Sequence, residues 1–292
     1  MIIIELKYNV TQNEEGKTIT HILRDKLNVS SRLLNKLKMN EKILVNDKPV
    51  FSNFVVHDGD FIRVKIDFDE ADYIVPEKID LEIIYEDEYF LAVNKPAGIV
   101  VHPSANHLSG TLANGVKYYL NNNKKIRAIN RLDRDTSGIV LFAKNEYIQE
   151  LMIKKVSITK EYIAITDGIL EEKSGIIVEP IARKPGSIME RYVSEEGQKA
   201  ITHFEVLKEL YTNLSIVKLN LETGRTHQIR VHLAYIGVPI LGDTLYGKSS
   251  DLINRQALHA YKMQFLHPIT NKETILHTPL PDDMENVIKR QG

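Results

Sequence analysis

Cysteine is absent from this chain of 292 residues. Its absence excludes a disulfide framework, a thiolate nucleophile and a cysteine-ligated zinc site. Long apolar runs are also missing, and none approaches the roughly 18 residues needed to cross a membrane. The apolar run that begins at Met1 is too short for a signal peptide and predicts an edge strand. We therefore expect a cytoplasmic protein that does not associate with membranes.

Positive charge is in slight deficit, because 38 Lys and Arg residues against 39 Asp and Glu residues give a formal net charge of −1. A nucleic-acid-binding protein usually has a basic surplus, since neutralising phosphates supplies much of its affinity. The charge is unevenly distributed, however. A basic head contains Lys17, Arg24, Lys26, Arg32, Lys36, Lys38, Lys42 and Lys48. Residues 58–88 form an acidic connector, and a body of mixed charge follows.

Local patterns in the basic head predict a small domain. They are, in order, a helix at 19–27, a helix at 30–38, a hairpin at 42–50 that turns at Asn46-Asp47, and a strand at 61–65 after a turn at 57–60. Apolar residues recur at helical spacing in both helices. Ser30 and Ser31 are candidate N-caps of the second helix.

This arrangement resembles the small alpha-L RNA-binding domain. In that family the second helix faces RNA, which here implies a contact surface of Arg32, Lys36 and Lys38. The alternative is a solvated basic face without a ligand. The chain departs from the family at Asn40-Glu41, where a glycine usually precedes the hairpin.

The rest of the chain predicts a second domain. Residues 67–80 are expected to form an extended tether, so we assign residues 1–75 to the RNA-binding domain with its acidic linker and residues 76–292 to the body. Strands are predicted near 81–85, 90–94, 160–165, 175–182, 199–208 and 213–220, with a helix at 111–120. The strand at 160–165 alternates polar and apolar residues and should be half-exposed. Many strands with few helices favour an α+β fold with a mixed, mainly antiparallel sheet.

Residues 130–144 are the most informative segment of the body. A charged cluster is followed by the small residues Thr136-Ser137-Gly138 and then by an apolar run at 139–143. This pattern predicts a loop that presents a carboxylate at the start of a buried strand. Loops held by a rigid strand often carry chemistry. The alternative is a salt-bridged surface turn.

A second cluster lies at residues 221–234. Gly224 predicts a turn, Thr226 is a candidate helix cap, and Arg225 and His227 would lie at the helix entrance. A helix start crowded with donors can hold a phosphate or a carboxylate. His227 and His232 are five residues apart without an intervening glutamate, which argues against a metal site.

The segment Arg131-Leu132-Asp133-x-x-Thr136-Ser137-Gly138 resembles the RLDxxTSG signature of the RluA-type pseudouridine synthases, the group that includes the RluD type. Further blocks resemble the same family in order, at 94–103, 221–234, 237–247, 255–260 and 265–268. The resemblance implies that Asp133 is the catalytic aspartate and that Arg230 pairs with it. It implies that Tyr162 stacks on the target base and can accept the C5 proton. The alternatives for these two are a surface arginine and an ordinary strand tyrosine.

Other residues are expected to bind the substrate. The target uridine must leave its stack, and Arg131 together with the basic head would supply compensating contacts. Arg225 and His227 are candidates for anion binding. Asn130 stands where the family usually has histidine, so we expect a supporting role that does not involve titration. Asp135 is a rival carboxylate that we expect to be exposed or structural.

The reaction implied by the resemblance breaks the N1–C1′ bond of a uridine, rotates the base and rejoins it through C5. It needs no cofactor and no metal, in agreement with the absence of P-loop and GxGxxG signatures. A carboxylate at Asp133 could attack C1′ or take the 2′ proton, and both routes stay open.

We expect a monomer that acts on RNA, with large-subunit ribosomal RNA as the favoured substrate. The alternatives are a synthase directed at transfer RNA and a non-catalytic RNA-binding factor for ribosome assembly. A base deaminase would need a zinc site with paired cysteines and is excluded.

Overall fold

The structure is a computed structural model that describes residues 4–68, 73–104, 107–121 and 125–291. The chain divides into two compact units, of which the first comprises Met1–Tyr73, Asn123–Arg127 and Ala143–Lys155, and the second comprises the remainder. The first residues of the expected edge strand, part of the tether at 67–80 and part of the loop at 121–125 lie outside the described residues. The domain boundary at residue 75 stays a prediction.

The described helices are α1 (Ile19–Asp25), α2 (Ser31–Met39), α3 (Leu112–Leu120), α4 (Glu146–Lys154), α5 (Gln228–Tyr235) and α6 (Asp282–Gln291). The described strands are β1 (Ile4–Asn9), β2 (Ile43–Val45), β3 (Lys48–Pro49), β4 (Phe61–Ile66), β5 (Glu82–Glu86), β6 (Phe90–Lys95), β7 (Arg127–Ala128), β8 (Ser137–Ala143), β9 (Ile158–Asp167), β10 (Ser174–Val178), β11 (Ile181–Arg183), β12 (Arg191–Val193), β13 (Ile201–Leu210), β14 (Leu214–Leu221), β15 (Leu258–Leu266) and β16 (Glu273–His277).

The first unit combines helices with a small sheet in the order β1-β4-β2-β3. The Ser30 side chain accepts a hydrogen bond from the Leu33 amide and caps α2, as predicted. Asn46 and Asp47 both have positive φ, at 49° and 67°. Two such residues match a tight hairpin turn to the twist of its strands, which confirms the predicted turn between β2 and β3. Helix α1 ends at Asp25, before the predicted end at residue 27.

The second unit is built on one large sheet. In the described residues ten strands pair in the order β10-β13-β14-β9-β15-β8-β6-β5, with β16 on β15 and β7 on β8. Most of these pairs are antiparallel, whereas β15 and β8 are parallel. The predicted α+β class with a mixed, mainly antiparallel sheet is therefore confirmed.

Strand β15 organises the centre of this sheet. It runs antiparallel to β9 and parallel to the start of β8, where Ala260 lies beside Gly138. Gly138 has a φ of 112°, and a Cβ atom there would lie 2.3 Å from the Ala260 carbonyl oxygen. The glycine thus permits a close contact that brings β8 against β15.

The prediction that the strand at 160–165 is half-exposed is wrong. In β9, residues 162–166 are buried in succession rather than on alternate positions. The physical reason is that β9 lies inside the sheet between β14 and β15, so its neighbours cover both edges and the core covers its faces.

Candidate active site

Asp133 lies at the first position of a β-turn that leads into the buried strand β8. The Thr136 amide donates to the Asp133 carbonyl oxygen at 3.2 Å, and we call residues 133–136 the Asp133 turn. The side chain of Asp133 keeps 28% of its surface exposed. A rigid strand therefore carries a carboxylate that solvent can still reach, as the sequence pattern predicted.

Arg230 on helix α5 contacts this carboxylate. Its Nη1 donates to Asp133 Oδ2 at 3.0 Å. Its Nε and Nη2 donate to the two carboxylate oxygens of Asp243 at 2.7 and 2.8 Å. Burial by itself disfavours the charged guanidinium, but the hydrogen bonds and charges of Asp243 and Asp133 outweigh it and raise the pKa of Arg230. The arginine is therefore a fixed cation.

Asp243 is fully buried and holds Arg230 in a bidentate pair. The amides of Leu245 and Tyr246 also donate to Asp243 Oδ1, at 3.1 and 3.3 Å. The backbone therefore fixes the carboxylate that fixes the arginine.

His227 lies at the entrance of α5 and approaches the same carboxylate oxygen of Asp133 as Arg230 does. Its Nε2 is 3.7 Å from Asp133 Oδ2, and its Nδ1 is 2.8 Å from the Tyr246 hydroxyl. That hydroxyl also accepts a hydrogen bond from the Arg191 amide. Burial lowers the pKa of His227, and the nearby Arg230 and Arg191 lower it further against the opposing effect of Asp133. The ring is thus held as a largely neutral group beside the carboxylate.

The predicted helix cap at Thr226 is wrong. His227 is the N-cap residue of α5, with a left-handed backbone at φ 57° and no capping hydrogen bond from its side chain. The turn before the helix is instead closed by Gln228. Its Oε1 accepts from Thr223 Oγ1 and the Arg225 amide, and its Nε2 donates to the Ile201 carbonyl oxygen.

Tyr162 on β9 lines the same cavity as Asp133, together with the apolar side chains of Leu221, Ile229 and Leu258. The ring is 7% exposed. Burial and the neighbouring Asp133 charge raise the pKa of its hydroxyl, so the ring is a neutral phenol at neutral pH. The structure thus brings together the three residues predicted to be catalytic.

An open groove of about 670 Å³ leads to this carboxylate. It is lined by residues of the 100–104 segment, by Asn130 and Arg131, by Lys160 and Tyr162, and by residues 221–227. Arg131 and Arg225 are exposed, and Arg225 Nε donates to the Lys199 carbonyl oxygen at 3.0 Å. The groove therefore has cations on two sides.

Asn130 is placed differently from the other predicted binding residues. Its Nδ2 donates to the Ile139 carbonyl oxygen and its Oδ1 accepts from the Leu141 amide, both at 2.9 Å. The side chain is buried and both of its polar groups bond the backbone of β8. The side chain thus positions the strand, while the residue also lines the groove, and its substrate-binding role stays a prediction.

In the first unit, α2 carries the three predicted RNA-contacting residues. Arg32 and Lys38 are exposed. Lys36 is half-buried, with its ammonium 2.7 Å from Glu146 Oε2 and 5.6 Å from the centre of the Phe68 ring. Two of the three cations therefore face solvent.

His232 has both ring nitrogens in structural hydrogen bonds. Nδ1 lies 2.9 Å from Thr202 Oγ1 and Nε2 lies 2.9 Å from the Glu179 carbonyl oxygen. In the part of the chain that the structure describes, no group of three or more histidine, aspartate or glutamate side chains is arranged to hold a metal ion.

Sequence reasoning missed several residues that build the site. Asp243 and Tyr246 lie in the block at 237–247, whose resemblance to the family assigned neither of them a role. The pair Gly242-Asp243, with Tyr246 three residues later, is typical of an ordinary turn. The role of Asp243 becomes clear only from its hydrogen bonds with Arg230. Gln228 was also overlooked.

The described helices include none that is both long and apolar enough to span a bilayer.

Comparison with known proteins gives consistent matches. A family model described as RNA pseudouridylate synthase matches residues 89–235, and one described as RluD ribosomal pseudouridine synthase N-terminal domain matches residues 6–62.

Two named groups of relatives cover most of the chain. Uncharacterized RNA pseudouridine synthase YhcT of Bacillus subtilis is 40% identical over 97% of this chain and 96% of its own length. Ribosomal large subunit pseudouridine synthase D is 37% identical in Pasteurella multocida, over 80% of this chain and 78% of the relative. The protein of that name in Escherichia coli is 32% identical, over 98% and 94%.

Solved structures agree with these relatives. Human RNA Pseudouridylate Synthase Domain Containing 1 has a TM-score of 0.58 at 28% identity, and the match covers 70% of this chain and 84% of that one. Human RNA Pseudouridylate Synthase Domain Containing 4 has a TM-score of 0.55 at 24% identity and shares the fold, over 72% and 92% of the two chains.

Proposed function

The chain belongs to the RNA pseudouridylate synthase family, and we propose that it isomerises uridine to pseudouridine in large-subunit ribosomal RNA with Asp133 as its catalytic residue. The observation that carries the assignment of Asp133 is its position. It is a solvent-accessible carboxylate at the end of a groove, paired with an arginine that is itself fixed by Asp243. The names of the relatives in Pasteurella multocida and Escherichia coli support the choice of RNA.

Asp133 would react at the ribose of the target uridine. As a nucleophile it forms a bond to C1′ while the bond from C1′ to N1 breaks. As a base it removes the 2′ proton while the same bond breaks. Both routes need an accessible carboxylate oxygen. Arg230 Nη1 donates to Oδ2 only, so the other oxygen of Asp133 stays free of that arginine.

Tyr162 would provide a flat surface for the flipped base inside the cavity. Its neutral phenol and the surrounding apolar side chains are suited to stacking. Acceptance of the C5 proton, the second role that the family implies, would require this phenol to lose its own proton first.

The cations of the groove would bind the RNA backbone around the extruded uridine. Arg131 and Arg225 are exposed on its walls, and His227 would contribute through its Nε2. In the first unit, Arg32 and Lys38 would bind phosphates elsewhere in the RNA. Lys36 would do so only after leaving Glu146.

The test maps pseudouridine across total RNA from cells that lack the protein. Complementation uses the wild type, Asp133→Asn, and Asp135→Asn as a matched control, because Asp135 lies two residues away and pairs with Arg134. We expect sites in large-subunit ribosomal RNA to be lost, and to be restored by the wild type and Asp135→Asn only. Restoration by Asp133→Asn would refute the catalytic role, and loss of transfer RNA sites alone would refute the substrate. Light scattering of the purified protein tests the proposed monomer.

A further inference from the structure

The Asp133 turn has an unusual environment for a surface turn. The carbonyl groups at the middle of a β-turn usually point to water, because the turn's own hydrogen bond does not use them. Here the two middle carbonyls, those of Arg134 and Asp135, each accept a hydrogen bond from an enclosed cation. The two cations come from different segments of the chain.

Lys95, at the end of β6, holds the first carbonyl. It is fully buried, and its ammonium donates to the carbonyl oxygens of Pro96, Ile99 and Arg134, each at 2.8 Å. The Gly98 amide also donates to the Arg134 carbonyl oxygen, at 3.0 Å. Burial lowers the pKa of Lys95 to about 7. Removal of an ammonium from water is costly, and the three carbonyl oxygens offset part of that cost while they tie the Arg134 peptide group to the end of β6.

Arg255 holds the second carbonyl. Its Nη1 donates to the Asp135 carbonyl oxygen at 3.1 Å and to the Gln256 carbonyl oxygen at 3.0 Å. Its Nε and Nη2 form a bidentate pair with Asp283 in the first turn of α6, at 2.6 and 2.9 Å. Arg255 is the first residue of the block at 255–260 that resembles the family, whereas Asp283 lies beyond all of those blocks.

We propose that Lys95 and Arg255 are positioning residues that hold the Asp133 turn in its reactive geometry, and that Asp283 on α6 keeps Arg255 in place. Neither cation contacts the Asp133 carboxylate in the described structure; each acts on the peptide groups directly after it. The proposal rests on the proposed role of Asp133. A carboxylate misplaced by about 1 Å can lose on the order of a hundredfold in rate, so fixing these peptides has a direct kinetic value.

The experiment uses the full-length protein with Lys95→Met, Arg255→Lys and Asp283→Asn. Lys95→Met keeps the length of the side chain but removes its donors. Asp283→Asn removes the negative charge and one of the two oxygens that accept from Arg255. Glu285→Gln is the matched control, because Glu285 lies on the same helix in an exposed pair with Lys289. The first readout is hydrogen exchange at the Gly98 and Thr136 amides. The Thr136 amide donates to the Asp133 carbonyl oxygen within the turn, and the Gly98 amide donates to the Arg134 carbonyl oxygen from outside it.

The second readout is kinetic. The probe is large-subunit ribosomal RNA that carries tritium at uridine C5 and is prepared from cells lacking the protein. Isomerisation releases this tritium when C5 replaces N1 on the ribose. We expect the two amides to exchange about tenfold faster in all three variants, with kcat about tenfold to a hundredfold lower and KM unchanged.

The outcomes separate the two proposals. Unchanged exchange at both amides would overturn the positioning role. So would faster exchange throughout the sheet with unchanged kcat per folded molecule, which is the result of a purely structural role. If the wild type released no tritium, the proposed substrate would be wrong, and the exchange measurement would still decide whether the cations hold the turn.

Discussion

Arg230 donates one hydrogen bond to Asp133 and two to Asp243. The second carboxylate is fully buried, whereas the first can still meet solvent. Asp243 therefore determines where the guanidinium lies, and Asp133 receives a hydrogen bond from Nη1, the one nitrogen that Asp243 does not contact. The geometry explains how a site can orient its carboxylate without covering it.

Asp243→Asn should leave Arg230 with weaker anchoring and with the partly exposed Asp133 as its remaining carboxylate partner. We expect the free energy of unfolding to fall by about 3 kcal/mol, because breaking one side of a buried ion pair is strongly destabilising. We expect kcat to fall at least tenfold in the molecules that stay folded. Chemical denaturation and single-turnover kinetics measure the two effects. Asp251→Asn, at an exposed position, is the control, and an unchanged kcat in Asp243→Asn would contradict the anchoring role.

Gly138→Ala should disrupt the junction between β8 and β15. The new methyl group would lie 2.3 Å from the Ala260 carbonyl oxygen at a positive φ. We expect a loss of about 3 kcal/mol or more, since both strain and overpacking contribute. Gly186→Ala is the matched control, because Gly186 also has a positive φ but no atom lies within 4 Å of the position that its new methyl group would take. A similar loss in both variants would show that the contact with Ala260 does not matter.

His259 should make the protein less stable in acid. Burial, with help from Arg255, lowers its pKa to about 4, compared with about 6.5 in the unfolded chain. Between these values the unfolded state binds more protons, so stability falls as the pH falls from 6.5 to 4, by on the order of 3 kcal/mol. Urea denaturation at several pH values should show this slope, and His259→Gln should reduce it.

The matched control for this slope is His57→Gln, which changes an exposed histidine. It should keep the acid dependence of the wild type. Equal slopes in the wild type and in His259→Gln would show that another group is responsible.

Asn130→Ala distinguishes positioning from substrate binding. It leaves the Ile139 carbonyl and the Leu141 amide of β8 without their partner, so we expect a loss of about 2 kcal/mol in stability. If the residue only positions the strand, KM for the RNA should stay unchanged. A raised KM at unchanged stability would restore the substrate-binding role expected from the sequence.

Local signals predicted the local parts of this molecule. Ser30 caps a helix and Asn46-Asp47 turns a hairpin because each conformation depends on residues next to it. The resemblance of the motifs placed Asp133, Tyr162 and Arg230 together, and the structure does bring them to one cavity. Their roles in catalysis stay a proposal.

Other features depend on partners that are distant in sequence. Strand β9 was predicted to be half-exposed because its alternating pattern does not reveal that the hydrophobic core packs against both of its faces. Asp243 looks like part of a turn until Arg230 is found beside it. His227 takes a left-handed conformation that the tertiary structure imposes, and so the cap was assigned to Thr226 instead.

The position of β15 also determines when the site can form during synthesis. This strand is made after β5 to β14, yet it lies in the middle of the sheet between β9 and β8. Until residues 258–266 have left the ribosome, the strand that follows the Asp133 turn and the strand that carries Tyr162 have no common neighbour. A nascent chain would thus be unable to modify RNA before its last strands emerge, which separates translation of the enzyme from its activity in time.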